Sequence, residues 1–288
     1  MADLTVIILT KNEEKNIEKC IRSLQDLPKR IVLIDSYSTD KTAEIARSLG
    51  AEVVEHPFES HAAQFNWGLD NLNLDTEWVM RLDADEELLP ELVNEMKERL
   101  PCLSENITGM ILRRRVYFLG RWLKHGGKYP ELLLRVFRRG HGRSEMRQMD
   151  EHLVVLDGET VTSKYDFLDN NQKSLEWWTA KHNWYSNKEV LDCLGVDTDA
   201  SVDGGSSSRQ ARVKRVIKKN GYYRLPPFFR AHLYFIYRYY FRMGFLDGKE
   251  GKIYTFLQAY WYRFLVDAKL YECTKCGIIP EDQKDLKN

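Results

Sequence analysis

Neither sign of charge is in excess in this chain: lysine plus arginine and aspartate plus glutamate each total 43 among 288 residues. Without a net field, nothing global draws the protein to nucleic acid, and any basic surface must be local. Glycine-rich phosphate loops are missing as well. The first β-branched run is followed by Thr10-Lys11-Asn12-Glu13, and neither G-x-G-x-x-G nor G-x-x-x-x-G-K-[ST] occurs, which excludes a dinucleotide fingerprint and a P-loop. Neither the N-terminus nor the aromatic C-terminal third has the roughly 18 uncharged apolar residues of a spanning helix. Met1-Ala2-Asp3-Leu4 carries no positively charged leader, so a cytoplasmic location is expected. Cysteine is scarce. The five are odd in number and scattered, and Cys273-Thr274-Lys275-Cys276 has no second pair among Cys20, Cys102 and Cys193, so free thiols are expected rather than a zinc site.

What is present suffices for a packed core: 43% of residues are hydrophobic and 12% aromatic. The first hundred residues alternate strand and helix signals. Thr5-Val6-Ile7-Ile8-Leu9 and Ile31-Val32-Leu33-Ile34 read as buried strands, residues 52–55 as a third and residues 78–82 as a fourth. Helical spacing of Ile17, Cys20, Ile21 and Leu24 fills the first gap, residues 43–49 behind an Asp40 N-cap the second, and residues 64–72 the third. Glu86 and Glu87 are read as favouring the N-terminus of a helix that includes residues 88–100. The pattern predicts an α/β, doubly wound, mostly parallel sheet whose ligands gather at the carboxyl ends of the strands. Thr10, Asn12 and Glu13 follow the first strand, Asp35 and Ser38 the second, and Asp83 and Asp85 the fourth. Asp83-Ala84-Asp85 can hold a hard divalent cation through oxygen while leaving positions open for a diphosphate.

The segments Ile8-Leu9-Thr10-Lys11-Asn12-Glu13, Ile34-Asp35-Ser36-Tyr37-Ser38-Thr39-Asp40 and Leu82-Asp83-Ala84-Asp85-Glu86 resemble the successive motifs of family 2 inverting glycosyltransferases. Arg135-Val136-Phe137-Arg138-Arg139, Met149-Asp150-Glu151-His152 and the aromatic residues 228–272 resemble the bacterial branch that builds lipopolysaccharide core and other surface polysaccharides. The likeness covers nearly the whole chain outside residues 192–209. It implies a GT-A fold, a nucleotide-sugar donor such as a uridine diphosphate sugar, Mg2+ or Mn2+, and inversion at the anomeric carbon. By the same resemblance Thr10, Glu13 and Asp35 contact the nucleoside, Asn12 and Ser38 belong with them to the donor site, Gln64 and Asn66 line the donor pocket, Asp83 lies near ribose and metal, and Asp85 ligates the metal. A helix-capping turn remains the alternative account of Asp35 and Ser38, and exposed helix polarity that of Gln64 and Asn66.

Inversion requires a carboxylate to take the acceptor's proton. The family places its base near Asp150 and Glu151; Glu151 aligns better with the acidic position and Asp150 stands where a variant of the motif has His. Trp122 and Tyr129, on a Gly-rich basic loop, suit a phosphate-bearing sugar acceptor, while Arg113, Arg114 and Arg115 are taken as solvated charge. The organisation expected is a catalytic domain over residues 1–190, a flexible basic linker over 191–220 and amphipathic aromatic helices over 221–288. Phe229, Leu233, Ile236, Tyr237, Tyr240 and Phe241 form one stripe, and Arg230, Arg238 and Arg242 a basic row that favours headgroup depth at the inner face of the membrane; a helical hairpin or dimer interface would show the same stripes. The partners expected are a nucleotide-sugar donor and a lipid-linked or oligosaccharide acceptor. A sugar-phosphate nucleotidyltransferase, which should carry an early Gly-rich loop, and a non-catalytic sugar- or lipid-binding module are the alternatives.

Overall fold

Strand β1 (Ala2–Thr10) sends Leu4, Val6 and Ile8 into one hydrophobic core and Ile7 and Leu9 into another. Covered on both faces, it has no polar alternation, which is why it reads as an unbroken apolar run. The computed structural model describes residues 1–146, 152–194 and 221–280. In it β1 lies between β2 (Pro28–Asp35) and β4 (Trp78–Asp83), parallel to both, and β3 (Glu52–Glu55) extends the parallel set beyond β2. The register sets Thr10 beside Asp35 and Leu9 beside Asp83, so three motif segments end along one edge.

Past β4 the sheet becomes mixed. Strand β8 (Glu131–Arg138) pairs antiparallel with β4 and with β6 (Ile107–Phe118), β11 (Glu159–Asp169) runs parallel to β6, and the short β5 (Glu86–Leu88) closes the order β3-β2-β1-β4-β8-β6-β11-β5. The two-residue β7 (Arg121–Trp122) folds back on β6, and β9 (Gly142–Ser144) pairs with β10 (Leu153–Val155). Glu86 and Glu87 therefore belong to a strand, and the helix after them, α4, covers Pro90–Arg99. The crossover helices are α1 (Ile17–Ser23), α2 (Thr42–Ser48) and α3 (His61–Asn71). Lys41, not Asp40, occupies the N-cap position of α2; Asp40 sits one residue earlier and accepts from the Thr42 N–H at 3.0 Å. Ser60 caps α3 by accepting from the Ala63 N–H.

The long helix α5 (Leu175–Leu194) leaves the sheet and packs against the tail, whose described helices are α6 (Phe229–Ile236), α7 (Gly248–Thr255) and α8 (Tyr262–Cys276). Val190 meets Tyr262 and Val266, and buried Glu189 accepts from Tyr223, Tyr262 and Arg263 at 2.6–2.7 Å. Two members of the basic row face inward, contrary to the reading of that row as headgroup-facing. Arg230 is 4% exposed and ion-paired to Asp267; Arg238 is 6% exposed and donates to the Gly126 carbonyl and to Gln258. The Gly-rich loop wraps the tail: His125 bonds Asp247 through its backbone N–H and its ring, and the Gly126 N–H donates to the Arg242 carbonyl. Gly126 and Gly127, at φ +63° and +70°, supply the left-handed turn that this close approach requires. Arg242 alone of the row is exposed, and no helix among the described residues is long and apolar enough to cross a membrane. The polar stretch 197–208, the basic Arg212, Lys214, Arg215, Lys218 and Lys219, and nearly all of the expected linker lie outside the described residues.

Because Asp267 pairs with a buried guanidinium, Asp267→Ala leaves an uncompensated charge and should destabilise the protein by about 3–5 kcal/mol in urea unfolding, whereas Arg242→Glu at the surface should change it by less than about 0.5 kcal/mol.

Candidate active site

The end of β4 is organised by Arg135 of β8. Its Nη2 donates to Asp83 Oδ2 at 3.0 Å and to Glu86 Oε1, while Glu86 Oε2 accepts from the Asp83 N–H at 3.0 Å. One guanidinium thus closes the Asp83–Glu86 turn. Burial works against ionisation of Asp83, but Arg135 and then Arg81 outweigh it and hold that carboxyl well below the usual range. Burial pushes the Glu86 carboxyl up and Asp83 adds to the effect, with Arg135 opposing. Between them Asp85 enters a cleft of about 760 Å³, where its Oδ2 accepts from Asn171 Nδ2 at 2.7 Å and its carbonyl from the Asn170 N–H at 3.0 Å.

The cleft brings Glu13, Asp83 and Asp85 together as the motifs suggested. Glu13 is paired with Lys173 at 2.7 Å and bonded by Asn16; burial raises its pKa, with Lys173 opposing and Asp85 adding. Thr10, Asn12, Asp35 and Ser38 form the buttress behind it. Asp35, 1% exposed, accepts from Thr10 Oγ1, Ser38 N and Ser38 Oγ at 2.6–2.9 Å, and Ser38 Oγ accepts from the Asn12 N–H. Asn12 and Tyr37 hold φ of 53° and 57°, an uncommon conformation for side-chain-bearing residues that clusters at functional turns.

Gln64 and Asn66 do not line the cleft. Gln64 bonds Ser36 and His56, and Asn66 exchanges two hydrogen bonds with the backbone of Ser144, joining α3 to β9. Both fasten α3 to neighbouring segments.

Trp122 and Tyr129 are also drawn away from the cleft. Tyr129 donates to Asp166, accepts from Arg113 and stands edge-on to Trp122, whose face is covered by Arg115 at 4.3 Å. Arg113, Arg114 and Arg115 are not solvated charge. Arg113 and Arg115 converge on buried Asp166, and Arg114 bridges Glu131 at 2.7 Å and Asp169 at 3.2 Å. The aromatic wall comes instead from α5. Trp177, Trp178, Lys181, Trp184 and Tyr185 line the cleft, with Lys173 and Lys181 at 4.4 and 4.6 Å from the Trp177 ring. The signal was legible as Trp177, Lys181 and Tyr185 at i, i+4 spacing, which puts them on one helix face, with Lys173 two residues before the helix begins. Burial works against the Lys181 charge, but Tyr185, Asp85 and Glu13 outweigh it and raise its pKa.

Asp150 and Glu151 lie outside the described residues; His152, next in the chain, lines the cleft. Among the described residues no group of three or more His, Cys, Asp or Glu side chains is set to hold a metal. Magnesium-type sites on phosphates need only one or two carboxylates plus substrate oxygens, and Asp85 fits that role better than Asp83, which two arginines engage.

The Glycosyl transferase family 2 model matches residues 5–161. A curated relative, lipopolysaccharide core biosynthesis glycosyltransferase LpsC of Rhizobium meliloti, is 27% identical over 93% of this chain and 92% of its own length. An uncharacterized glycosyltransferase of Rickettsia bellii is 39% identical over 33% of this chain, a match spanning 31% of that relative. Among solved structures the mannosyltransferase PcManGT of Pyrobaculum calidifontis, in complex with GDP-Man and Mn2+, superposes with a TM-score of 0.53 at 16% identity over 93% of this chain and 87% of its own. The sheet with its C-terminal helices is a GT-A fold.

Two cleft histidines are kept neutral by burial: His61, with Arg81 adding, at a pKa of about 3, and His182 at about 4. The unfolded chain titrates histidine near 6.5 and so binds more protons below that pH. Stability should therefore be level above pH ~6.5 and decline towards pH ~4. Thermal unfolding of His182→Gln across this window should show a shallower decline than wild type.

Proposed function

Because the chain belongs to glycosyl transferase family 2, we propose that it is an inverting enzyme moving a sugar from a nucleoside diphosphate donor, a uridine diphosphate sugar first among them, to a lipid-linked or lipopolysaccharide-core saccharide. The observation that carries this is Asp85 at the carboxyl end of a parallel strand, in a cleft that α5 lines with Lys181 and the rings of Trp177, Trp178, Trp184 and Tyr185. The span of the match to LpsC supports the acceptor class.

Asp85, with Asp83 beside it, would hold Mg2+ or Mn2+, which when bound neutralises the charge that develops on the leaving diphosphate. GDP-Man and Mn2+, with which the mannosyltransferase PcManGT is in complex, are a nucleoside diphosphate sugar and an ion of this chemical class. Lys173 and Lys181 add fixed positive charge on the other side of the cleft. Asp35, 1% exposed and not part of the cleft lining, is proposed on the motif alone as the acceptor of an N–H of the base. Glu151 is the proposed base, with Asp150 its alternative, on the strength of the motif and of His152 in the cleft wall. A screen of nucleotide sugars for hydrolysis and transfer tests the whole reading. Asp85→Asn, or chelation of wild type, should lower activity by orders of magnitude; Glu151→Gln should lower transfer by at least ~10²-fold with donor affinity kept, and Asp150→Asn should do less. Full activity in chelator removes the metal, and the reverse ranking of the two acids moves the base to Asp150.

The tail is proposed to rest on the inner membrane face through side chains rather than through the whole basic row. Phe229, Leu233, Ile236, Tyr237, Tyr240 and Phe241 are 36–75% exposed, and Arg242, Lys249 and Lys252 of the same tail are exposed as well. Rings at headgroup depth with flanking cations favour an anionic bilayer surface. Tyr240→Glu with Phe241→Glu should abolish sedimentation with anionic liposomes while turnover on a short soluble acceptor persists; a monomer–dimer shift without any liposome binding by wild type would make the face a protein interface.

A further inference from the structure

The connection from β11 to α5, residues 170–174, is tied to two of the acidic motifs in the cleft. Asp169 pairs with Glu86 at the end of the β11–β5 ladder, and the Asn170 N–H extends it by donating to the Asp85 carbonyl at 3.0 Å. That register delivers the Asn171 side chain to a residue 86 positions away, where its Nδ2 donates to Asp85 Oδ2 at 2.7 Å. Asn171 Oδ1 accepts from the Lys173 N–H at 2.8 Å, and Lys173 Nζ donates to Glu13 Oε1 at 2.7 Å. Asn16 completes the circuit: its Oδ1 accepts from the Gln172 N–H at 2.9 Å and its Nδ2 donates to Glu13 Oε2 at 2.7 Å. A chain of hydrogen bonds therefore runs from Asp85 to Glu13 through the connection.

These partners fix which way the Asn171 amide faces. A carboxylate oxygen only accepts and a backbone N–H only donates, so Nδ2 faces Asp85 and Oδ1 faces Lys173. With its oxygen so used, Asn171 is not itself a ligand for a cation at Asp85. Among the described residues no other side chain bonds the Asp85 carboxylate, whereas two arginines engage Asp83 and Arg135 engages Glu86. We infer that Asn171 is the positioning residue of the metal site: by holding Asp85 Oδ2 it stops the carboxylate from rotating and leaves Oδ1 for the divalent cation. The metal role of Asp85 rests on the glycosyltransferase reading. The terminal torsion of an unheld aspartate is broad, and a ligand that wanders loses affinity, because the cation's oxygens must converge on one point. Hydrogen-bond partners of metal ligands typically contribute about 10–100-fold in metal affinity.

Mn2+ is titrated into the full chain with UDP or GDP present and followed by loss of the free-ion EPR signal. Asn171→Ala should weaken Mn2+ binding by about 10–100-fold, while nucleotide binding without metal stays as in wild type. Turnover should recover as Mn2+ is raised to saturation. Asn171→Ser keeps a hydroxyl that can accept from the Lys173 N–H but ends a bond short of Asp85, so it preserves the turn and should show the same loss. Thermal midpoints report folding, and Asn171→Ser decides the matter if Asn171→Ala melts early. Gln172→Ala alters a side chain of the same connection that bonds the Asn170 carbonyl rather than Asp85, and it should bind Mn2+ as wild type does. Wild-type Mn2+ affinity in both Asn171 variants, tighter binding in either, or an equal loss in Gln172→Ala would overturn the proposal. Tighter binding would make Asn171 a competitor of the cation, and an equal loss would make it a brace of the loop. Failure of the glycosyltransferase reading shows separately, as a wild type that takes up neither Mn2+ nor nucleotide and hydrolyses no nucleotide sugar.

Discussion

A single buried guanidinium, that of Arg135, sets the geometry of the cleft. Two carboxylates within one turn, Asp83 and Glu86, would repel each other at the end of a buried strand; sharing Arg135 turns the repulsion into a clamp. With both ends of the turn tied to Arg135, Asp85 between them is held by Asn171 in the cleft that Asp83 and Glu86 also line. The clamp crosses the sheet as well, because Arg135 belongs to β8, the strand at which the parallel half meets the antiparallel pairings. The acidic turn and the change of sheet direction therefore depend on one another.

The facing wall is set from further away. Helix α5 holds its Trp and Lys residues towards the cleft because its opposite face is fastened to the tail through Glu189 and the Val190 cluster. The tail in turn is fastened to the sheet by the Gly126 loop, which accepts from Arg238 and donates to the Arg242 carbonyl. The tail thus braces the wall of the cleft through its buried arginines and aspartates, while the exposed rings on its other side are the part proposed above to meet a membrane.

Much of this was legible in the chain. Apolar strands covered on both faces, and polar residues where each strand stops, are local patterns that follow from backbone periodicity, and they place Glu13, Asp83 and Asp85 where they are found. Gln64 and Asn66 misled because a polar residue on a helix looks the same whether it faces a ligand or the backbone of another strand. Trp122 and Tyr129 misled for a related reason: Asp166, the acid that gathers Arg113, Arg115 and Tyr129, lies 37 residues or more away in sequence, and only strand pairing brings it near.

The sequence by itself determined the class of fold, the order of its strands and helices up to β4, and the acidic strand end, because each is encoded by residues within a few positions of one another. Tertiary structure decided which charges are spent on one another and which remain for a ligand. Arg81, Arg135, Arg230 and Arg238 are indistinguishable from surface arginines in the sequence, yet burial obliges each to find a partner. Lys181, equally anonymous, comes to line the cleft opposite the carboxylates because α5 is anchored by its other face. That division depends on which side of an element meets the core, and contacts between distant segments set it.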